Sequence, residues 1–274
     1  GRVFEHQLQT PAVGDAAARV TAFRVEHHDD APSLTRLNSI GTGDGGACHV
    51  AVDATGSMLM TAQYGGGSTS VFAIDDDGSI GERTAVIEHA TLSGAADGAR
   101  PHAHYVGFSP DNRFALVPDL GLNAVVTFAM DPENAIATFA NKTAPIEGSG
   151  PRHLKFHPDG NTVWVLNERD VSVTTFDYHT GGSLQPKSTT AMVPAADLAN
   201  ERRNSGSEIV VDSSGRFVYA ANRGHDVITV LAVQPDRSLT VVEREPIRGT
   251  TPRNFNLDPT GRWLLAAGQD SHTV

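Results

Sequence analysis

Glu208 to Ala221 reads EIVVDSSGRFVYAA: an apolar run, a turn and a second apolar run. Within it, Asp212-Ser213-Ser214-Gly215 is turn chemistry, with glycine where a positive φ is needed. The same ten-residue frame recurs without gaps in five places. These are Asp53 to Ala62 (DATGSMLMTA), Ser109 to Pro118 (SPDNRFALVP), His157 to Leu166 (HPDGNTVWVL), Asp212 to Ala221 (DSSGRFVYAA) and Asp258 to Ala267 (DPTGRWLLAA). Successive copies start 56, 48, 55 and 46 residues apart, and Gly1-Arg2-Val3-Phe4 fits the middle of a sixth. A third strand follows the frame at Val227 to Val233, matched by Ser70 to Ile74, Val125 to Met130 and Val173 to Tyr178, and a fourth lies near Leu239 to Val242. Four antiparallel strands in roughly 50 residues is one blade of a β-propeller, whereas solenoid coils are about half that length. The expectation is an all-β, seven-bladed propeller of four-stranded blades, of which residues 1–274 cover about six. They would form a single domain lacking its first strands and part of its C-terminus. Only Pro194 to Arg203 carries a helical signal, of one or two turns.

Composition agrees and excludes several functions. Twenty-seven glycines and only 19% charged residues suit a chain that turns often between short strands. The net charge of −11 argues against a nucleic-acid or anionic-membrane partner, because neutralising phosphates takes an excess of Lys and Arg. Cys48 stands alone, so no internal disulfide or cysteine zinc cage is possible. No apolar run of about 18 residues spans a membrane. A cytoplasmic location is expected, with a removed leader left open, as is the oligomeric state.

The repeat supplies its own control for unusual residues. Immediately before the first strand stand Cys48, His104, Arg152, Ser207 and Arg253. Just past the second stand Tyr64, Leu120, Glu168, Arg223 and Gln269. In an antiparallel hairpin, the start of one strand lies beside the end of its partner, so both series emerge on one rim. With the first strand innermost, that rim surrounds the mouth of the central channel. His104, Arg152, Glu168, Arg223 and Arg253 are then ionisable groups gathered at a cavity, the usual setting for chemistry on a small anion. The plainer alternative is that strand-end Arg and Glu simply bridge adjacent blades.

Other signals are weaker. His102 and His104 share a face of one strand, a spacing that metals use, but no third ligand is evident, so no metal is expected. Tyr64-Gly65-Gly66-Gly67 lacks the helix and lysine of a phosphate loop and reads as a hairpin turn. His27-His28 reads as solvated. No Gly-x-Ser-x-Gly elbow is present, and Cys48 has no triad beyond His49.

Cys48-His-Val-Ala-Val-Asp53 with Tyr64 to Gly67, Arg100-Pro-His-Ala-His104, Gly150-Pro-Arg-His153, Asn167-Glu168, Glu208-Ile209, Asn222-Arg-Gly-His-Asp226 and Pro252-Arg-Asn-Phe255 together resemble the seven-bladed propeller lactonase family. The resemblance covers nearly the whole chain in order. It implies a pocket at one end of the channel, with a His, a Glu and two Arg as the active group. These match His104 (or His102, in the same motif), Glu168, Arg152 and Arg223, while His102, His153 and Arg253 would bind substrate. The expected activity is cofactor-free hydrolysis of a sugar-acid lactone, 6-phosphogluconolactone first, on a small anionic substrate. Cyclisation of a carboxylated muconate would suit the same four side chains, and a non-catalytic binding propeller is the alternative from another class. Water must be activated, the oxyanion stabilised and the leaving alkoxide protonated. Glu168 and His104 would share the acid and base roles, and the two arginines would hold anionic oxygens by bidentate bonds.

Overall fold

The computed structural model describes residues 2–7, 18–27, 31–200 and 204–274. His28 of the His27-His28 pair, and residues 201–203 at the end of the helical stretch, lie outside the described residues.

Twenty-one strands occur among the described residues, in six antiparallel sheets. Arg2–Gln7 (β1), Arg19–Glu26 (β2) and Ser33–Gly41 (β3) form the first sheet. Ala47–Val52 (β4), Met58–Gln63 (β5), Ser68–Ile74 (β6) and Ile80–Glu88 (β7) form the second. The third comprises Gly107–Phe108 (β8), Phe114–Asp119 (β9), Ala124–Asp131 (β10) and Ile136–Thr143 (β11). Pro151–Phe156 (β12), Thr162–Asn167 (β13), Ser172–Tyr178 (β14) and Leu184–Ala191 (β15) follow. The fifth sheet is Ser205–Val211 (β16), Phe217–Arg223 (β17), Val227–Val233 (β18) and Leu239–Pro246 (β19), and the last is Pro252–Leu257 (β20) with Leu264–Gly268 (β21). In each, neighbours in sequence are neighbours in space, as in propeller blades. The third strand of the fifth sheet is Val227–Val233 as expected, whereas β6, β10, β14 and the fourth strand β19 run longer than the apolar pattern indicated. Ala195–Asn200 (α1) is the short helix in the Pro194 stretch.

The chain separates into two compact units, Gly1–Leu122 with Val126–Lys142, and Asn123–Val125 with Thr143–Val274. In both, the last strand of each four-stranded sheet is the least buried of the second, third and fourth. Every residue of β5 and β13 is buried, whereas β15 is mostly exposed. A strand buried on both faces loses the alternation of a half-exposed one, so β13 reads as the continuous run TVWVLN. In the second unit Trp164, Leu166, Val173, Ile209, Val218 and Leu231 form one core between adjacent sheets. Each such side chain adds about 1.5–3 kcal/mol by leaving water. The first unit has its own core of Met58, Met60, Val71, Val117 and Phe128.

The turn inside the repeat explains its sequence. Asp212 Oδ1 accepts the backbone N–H of Phe217 (2.8 Å), Oδ2 accepts that of Ser214 (3.1 Å), and Gly215 sits at φ +69°. Asp53 and Asp258 cap the N–H groups of Met58 and Trp263 in the same way, and Ser109 Oγ does so for Phe114. Asn112 takes the left-handed position of glycine at φ +57°, one of the few other residues that does so readily. The frame is therefore an acceptor at position one and a left-handed residue at position four. Gly67 N–H bonds Gln63 O at 2.9 Å, so Tyr64 to Gly67 is the hairpin turn its composition indicated.

Candidate active site

One detail of the inner hairpin departs from the expectation. Of the residues placed just before the first strand, Cys48, Arg152, Ser207 and Arg253 lie inside it, at a one-residue β-bulge, whereas His104 precedes β8 as expected. Pairing shifts between Ala47 and His49, between Pro151 and His153, between Gly206 and Ile209, and between Pro252 and Asn254. Ala103 bridges Asp119 while Gly107 pairs with Leu116, the same shift in the remaining copy. Cys48, Arg152, Ser207 and Arg253 thus occupy the irregular stretch of their strands, and His104 the irregular stretch ahead of β8. A bulge twists its strand and re-aims a side chain that regular pairing would commit to a face.

In the second unit this brings three expected residues together. Arg152, at the β12 bulge, places Nε 2.8 Å from Glu168 Oε2, and Glu168 is the first residue beyond β13. Arg223, the last residue of β17, brings Nη2 to 3.2 Å from Glu168 Oε1. The arginines come from neighbouring blades and hold one carboxylate. Backbone bonds fix its position: Glu168 N–H donates to Gly150 O (2.7 Å) and Gly206 N–H donates to Glu168 O (2.9 Å). The Arg152 side chain is 3% exposed and that of Glu168 22%, so the carboxylate meets solvent while its main partner does not. Burial lowers the Arg152 pKa to about 10, with the Glu168 charge acting against that fall. The guanidinium stays charged at neutral pH. Two guanidiniums against one carboxylate leave the trio one net positive charge, suited to an anion.

Blade bridging, the plainer alternative, occurs at the same slots. Arg152 Nη1 donates to Ser207 O, Ser207 Oγ donates to Pro252 O at 2.6 Å, and Cys48 Sγ lies 3.4 Å from His104 O. For Arg152 the two roles coexist, since different nitrogens face Ser207 and Glu168.

His153 is buried beside Arg152, with Nε2 3.1 Å from Arg152 Nη1 and Nδ1 2.9 Å from Glu208 Oε1. Burial drives its pKa well below the ordinary value, and the Arg152 charge adds to that. Arg253 is exposed on β20. His102 and His104 belong to the first unit, where both rings contact Tyr64. His102 stacks on it at 4.5 Å and His104 meets it edge-on at 5.4 Å. Among the described residues, no group of three or more His, Cys, Asp or Glu could hold a metal.

Two features escaped the sequence reading. Glu208 and Asn254 adjoin the bulge slots, and the position after each slot holds His49, Tyr105, His153, Glu208 and Asn254, never an aliphatic residue. That series was the available signal. Within the first unit, His89 lies 2.8 Å from Asp119 and 2.9 Å from Thr69. It resembles a catalytic relay, but all three residues are fully buried, so no substrate reaches it. A separate apolar groove of about 570 Å³, lined by Tyr219, Ile228, Val230, Glu245 and Leu264 among others, offers a carboxylate and no cation.

The family model described as "Lactonase, 7-bladed beta-propeller" matches residues 9–274. The chain belongs to this family. It is 32% identical to a 6-phosphogluconolactonase of Bacillus subtilis, over 94% of this chain and 72% of that protein. It is 34% identical to the 6-phosphogluconolactonase of Cronobacter sakazakii, over 93% and 72%. The periplasmic gluconolactonase of Pseudomonas aeruginosa superposes with a TM-score of 0.86 at 28% identity, covering 98% of this chain and 76% of that one. Family membership makes the fold a β-propeller and the chemistry lactone hydrolysis. Among the described residues, no helix is long and apolar enough to cross a membrane.

Proposed function

We propose that this lactonase hydrolyses 6-phosphogluconolactone to 6-phosphogluconate, with Arg152, Glu168 and Arg223 at the reaction centre. The observation that carries the proposal is the solvent-reached carboxylate of Glu168 held between two guanidiniums, at 2.8 and 3.2 Å. Water attacking the lactone carbonyl creates an oxyanion, which a guanidinium stabilises by directed N–H bonds. Glu168 takes the proton from the attacking water. The tetrahedral intermediate then expels the ring oxygen, which is protonated as it leaves, and one hydroxy acid results. The complementary acid–base role is proposed for His104, which occupies the repeat slot equivalent to that of Arg152. The net positive charge of the trio and the names of the relatives support a phosphorylated, anionic substrate. Such a substrate also supports a cytoplasmic location, which cell fractionation checks.

The test is a panel of 6-phosphogluconolactone, unphosphorylated glucono-lactone and a carboxymuconate, each corrected for spontaneous reaction. The proposal expects the highest kcat/KM on the phosphorylated lactone. Glucono-lactone, the substrate class named for the Pseudomonas neighbour, is the principal rival. Turnover of carboxymuconate alone would replace hydrolysis by cyclisation.

A further inference from the structure

Behind Arg152 lies a second polar layer whose protonation follows from its geometry. A guanidinium nitrogen can only donate, so the 3.1 Å contact from Arg152 Nη1 makes His153 Nε2 the acceptor. The ring proton is therefore on Nδ1, 2.9 Å from Glu208 Oε1. The same oxygen accepts the N–H of Ile209 at 2.9 Å, and Oε2 accepts Asn254 Nδ2 at 2.7 Å. Both carboxyl oxygens of Glu208 are thus engaged as acceptors. The His153 and Glu208 side chains are only 8% and 9% exposed, and both residues adjoin bulges, of β12 and β16.

We propose that Glu208 and His153 form a positioning pair that holds the Arg152 guanidinium in the orientation in which its Nε meets Glu168. This inference rests on the reading of Arg152 and Glu168 as the reaction centre. An arginine side chain has many rotamers, and a buried brace removes that freedom before substrate arrives. The brace requires a neutral imidazole, because a protonated His153 would turn a second donor toward Arg152 Nη1. The charges around the ring are those of Arg152 and Lys155 on β12, Glu208 on β16, Arg223 on β17 and Arg253 on β20. Four of these are cationic, and burial acts with them to keep the ring neutral. Glu208 then selects which nitrogen keeps the proton.

Two measurements test the pair. Long-range ¹H–¹⁵N NMR of the intact protein reads the His153 tautomer without any substrate. The Nδ1–H form is expected from pH 8 to pH 6, and an Nε2–H or doubly protonated ring in that range overturns the proposal. In a double-mutant cycle, Glu208→Gln should lower kcat/KM by about 10-fold in the wild-type background and less than about twofold beside Arg152→Lys. An equal loss in both backgrounds means that Glu208 acts only on the fold, and the proposal fails. Where Glu208→Gln does not fold, Asn254→Ala removes a single donor from an exposed residue. It should give about a threefold loss with the same dependence on Arg152, and an Arg152-independent loss overturns the proposal. Absence of lactone turnover by the wild type would sink the catalytic reading, and the NMR result would still judge the pair.

Discussion

Replacing Glu168 by Gln keeps the shape of the side chain and removes the charge that two arginines share. At an effective dielectric of about 20, contacts of 2.8 and 3.2 Å correspond to gross attractions of roughly 6 and 5 kcal/mol. Desolvation opposes most of this, and the 22% exposure of Glu168 screens it further. Removing one partner of a buried pair costs about 3–5 kcal/mol, so a loss of about 2–3 kcal/mol fits this partly solvated one. At about 2–4 °C per kcal/mol for a chain of this size, Tm should fall by roughly 5–10 °C while the blades persist. Catalysis should suffer more, with kcat down by roughly 10²-fold or more, because the group that takes the proton from water is gone. Proton release on lactone opening, followed in weak buffer and corrected for the spontaneous reaction, reads kcat. Melting by circular dichroism reads Tm. Full activity in a variant with lowered Tm would refute the catalytic role and leave a blade bridge. An unchanged Tm would refute the ion-pair geometry.

Arg152→Lys keeps a charge but loses the planar fork that faces Glu168 with Nε and His153 and Ser207 with Nη1, so KM for an anionic lactone should rise or kcat fall by about 10-fold. Equal kinetics would mean that charge alone suffices. His104→Gln should lower kcat by roughly 10²-fold if the repeat position assigns its role correctly, and unchanged kinetics would remove it from the mechanism. The turn carboxylates set an acid limit on stability. Burial raises the Asp53 pKa, but hydrogen bonds from Thr55, Asn112 and the Met58 N–H outweigh it, and the group titrates below its ordinary 3.8. Asp212 follows the same pattern, and the Thr260 hydroxyl lowers Asp258. A carboxyl lowered on folding stabilises fully above its unfolded pKa and loses that stabilisation as pH falls through the folded value. Tm should therefore fall gently below about pH 6.5, where the unfolded chain protonates His153 and the buried ring does not, and steeply below about pH 4, with a shallower acid fall in Asp53→Asn. An equally steep fall in that variant would contradict the capping role.

The fold was legible because its signals are local and repeated. An acceptor such as Asp212, a left-handed residue such as Gly215 and a fully buried second strand such as Thr162–Asn167 each leave a mark within ten residues. The meeting of Arg152, Glu168 and Arg223 was legible for a related reason, since equivalent slots in neighbouring blades lie side by side. The bulge was not. Every copy carries the extra residue, so an ungapped alignment of the copies aligns it with itself and shows nothing missing. The Glu208–His153 layer was hidden with it, because only the shifted pairing turns Glu208 toward the preceding blade. Arg152 also could not be sorted in advance into catalytic or bridging, since its separate nitrogens do both.

The most direct test of the central claim is a crystal structure with the product 6-phosphogluconate bound. The account predicts an anionic group of the product within about 3 Å of the Arg223 guanidinium, with Glu168 beside the carboxylate carbon. Product seated in the apolar groove of Tyr219 and Leu264, or elsewhere with the Arg152–Glu168–Arg223 trio untouched, would contradict it.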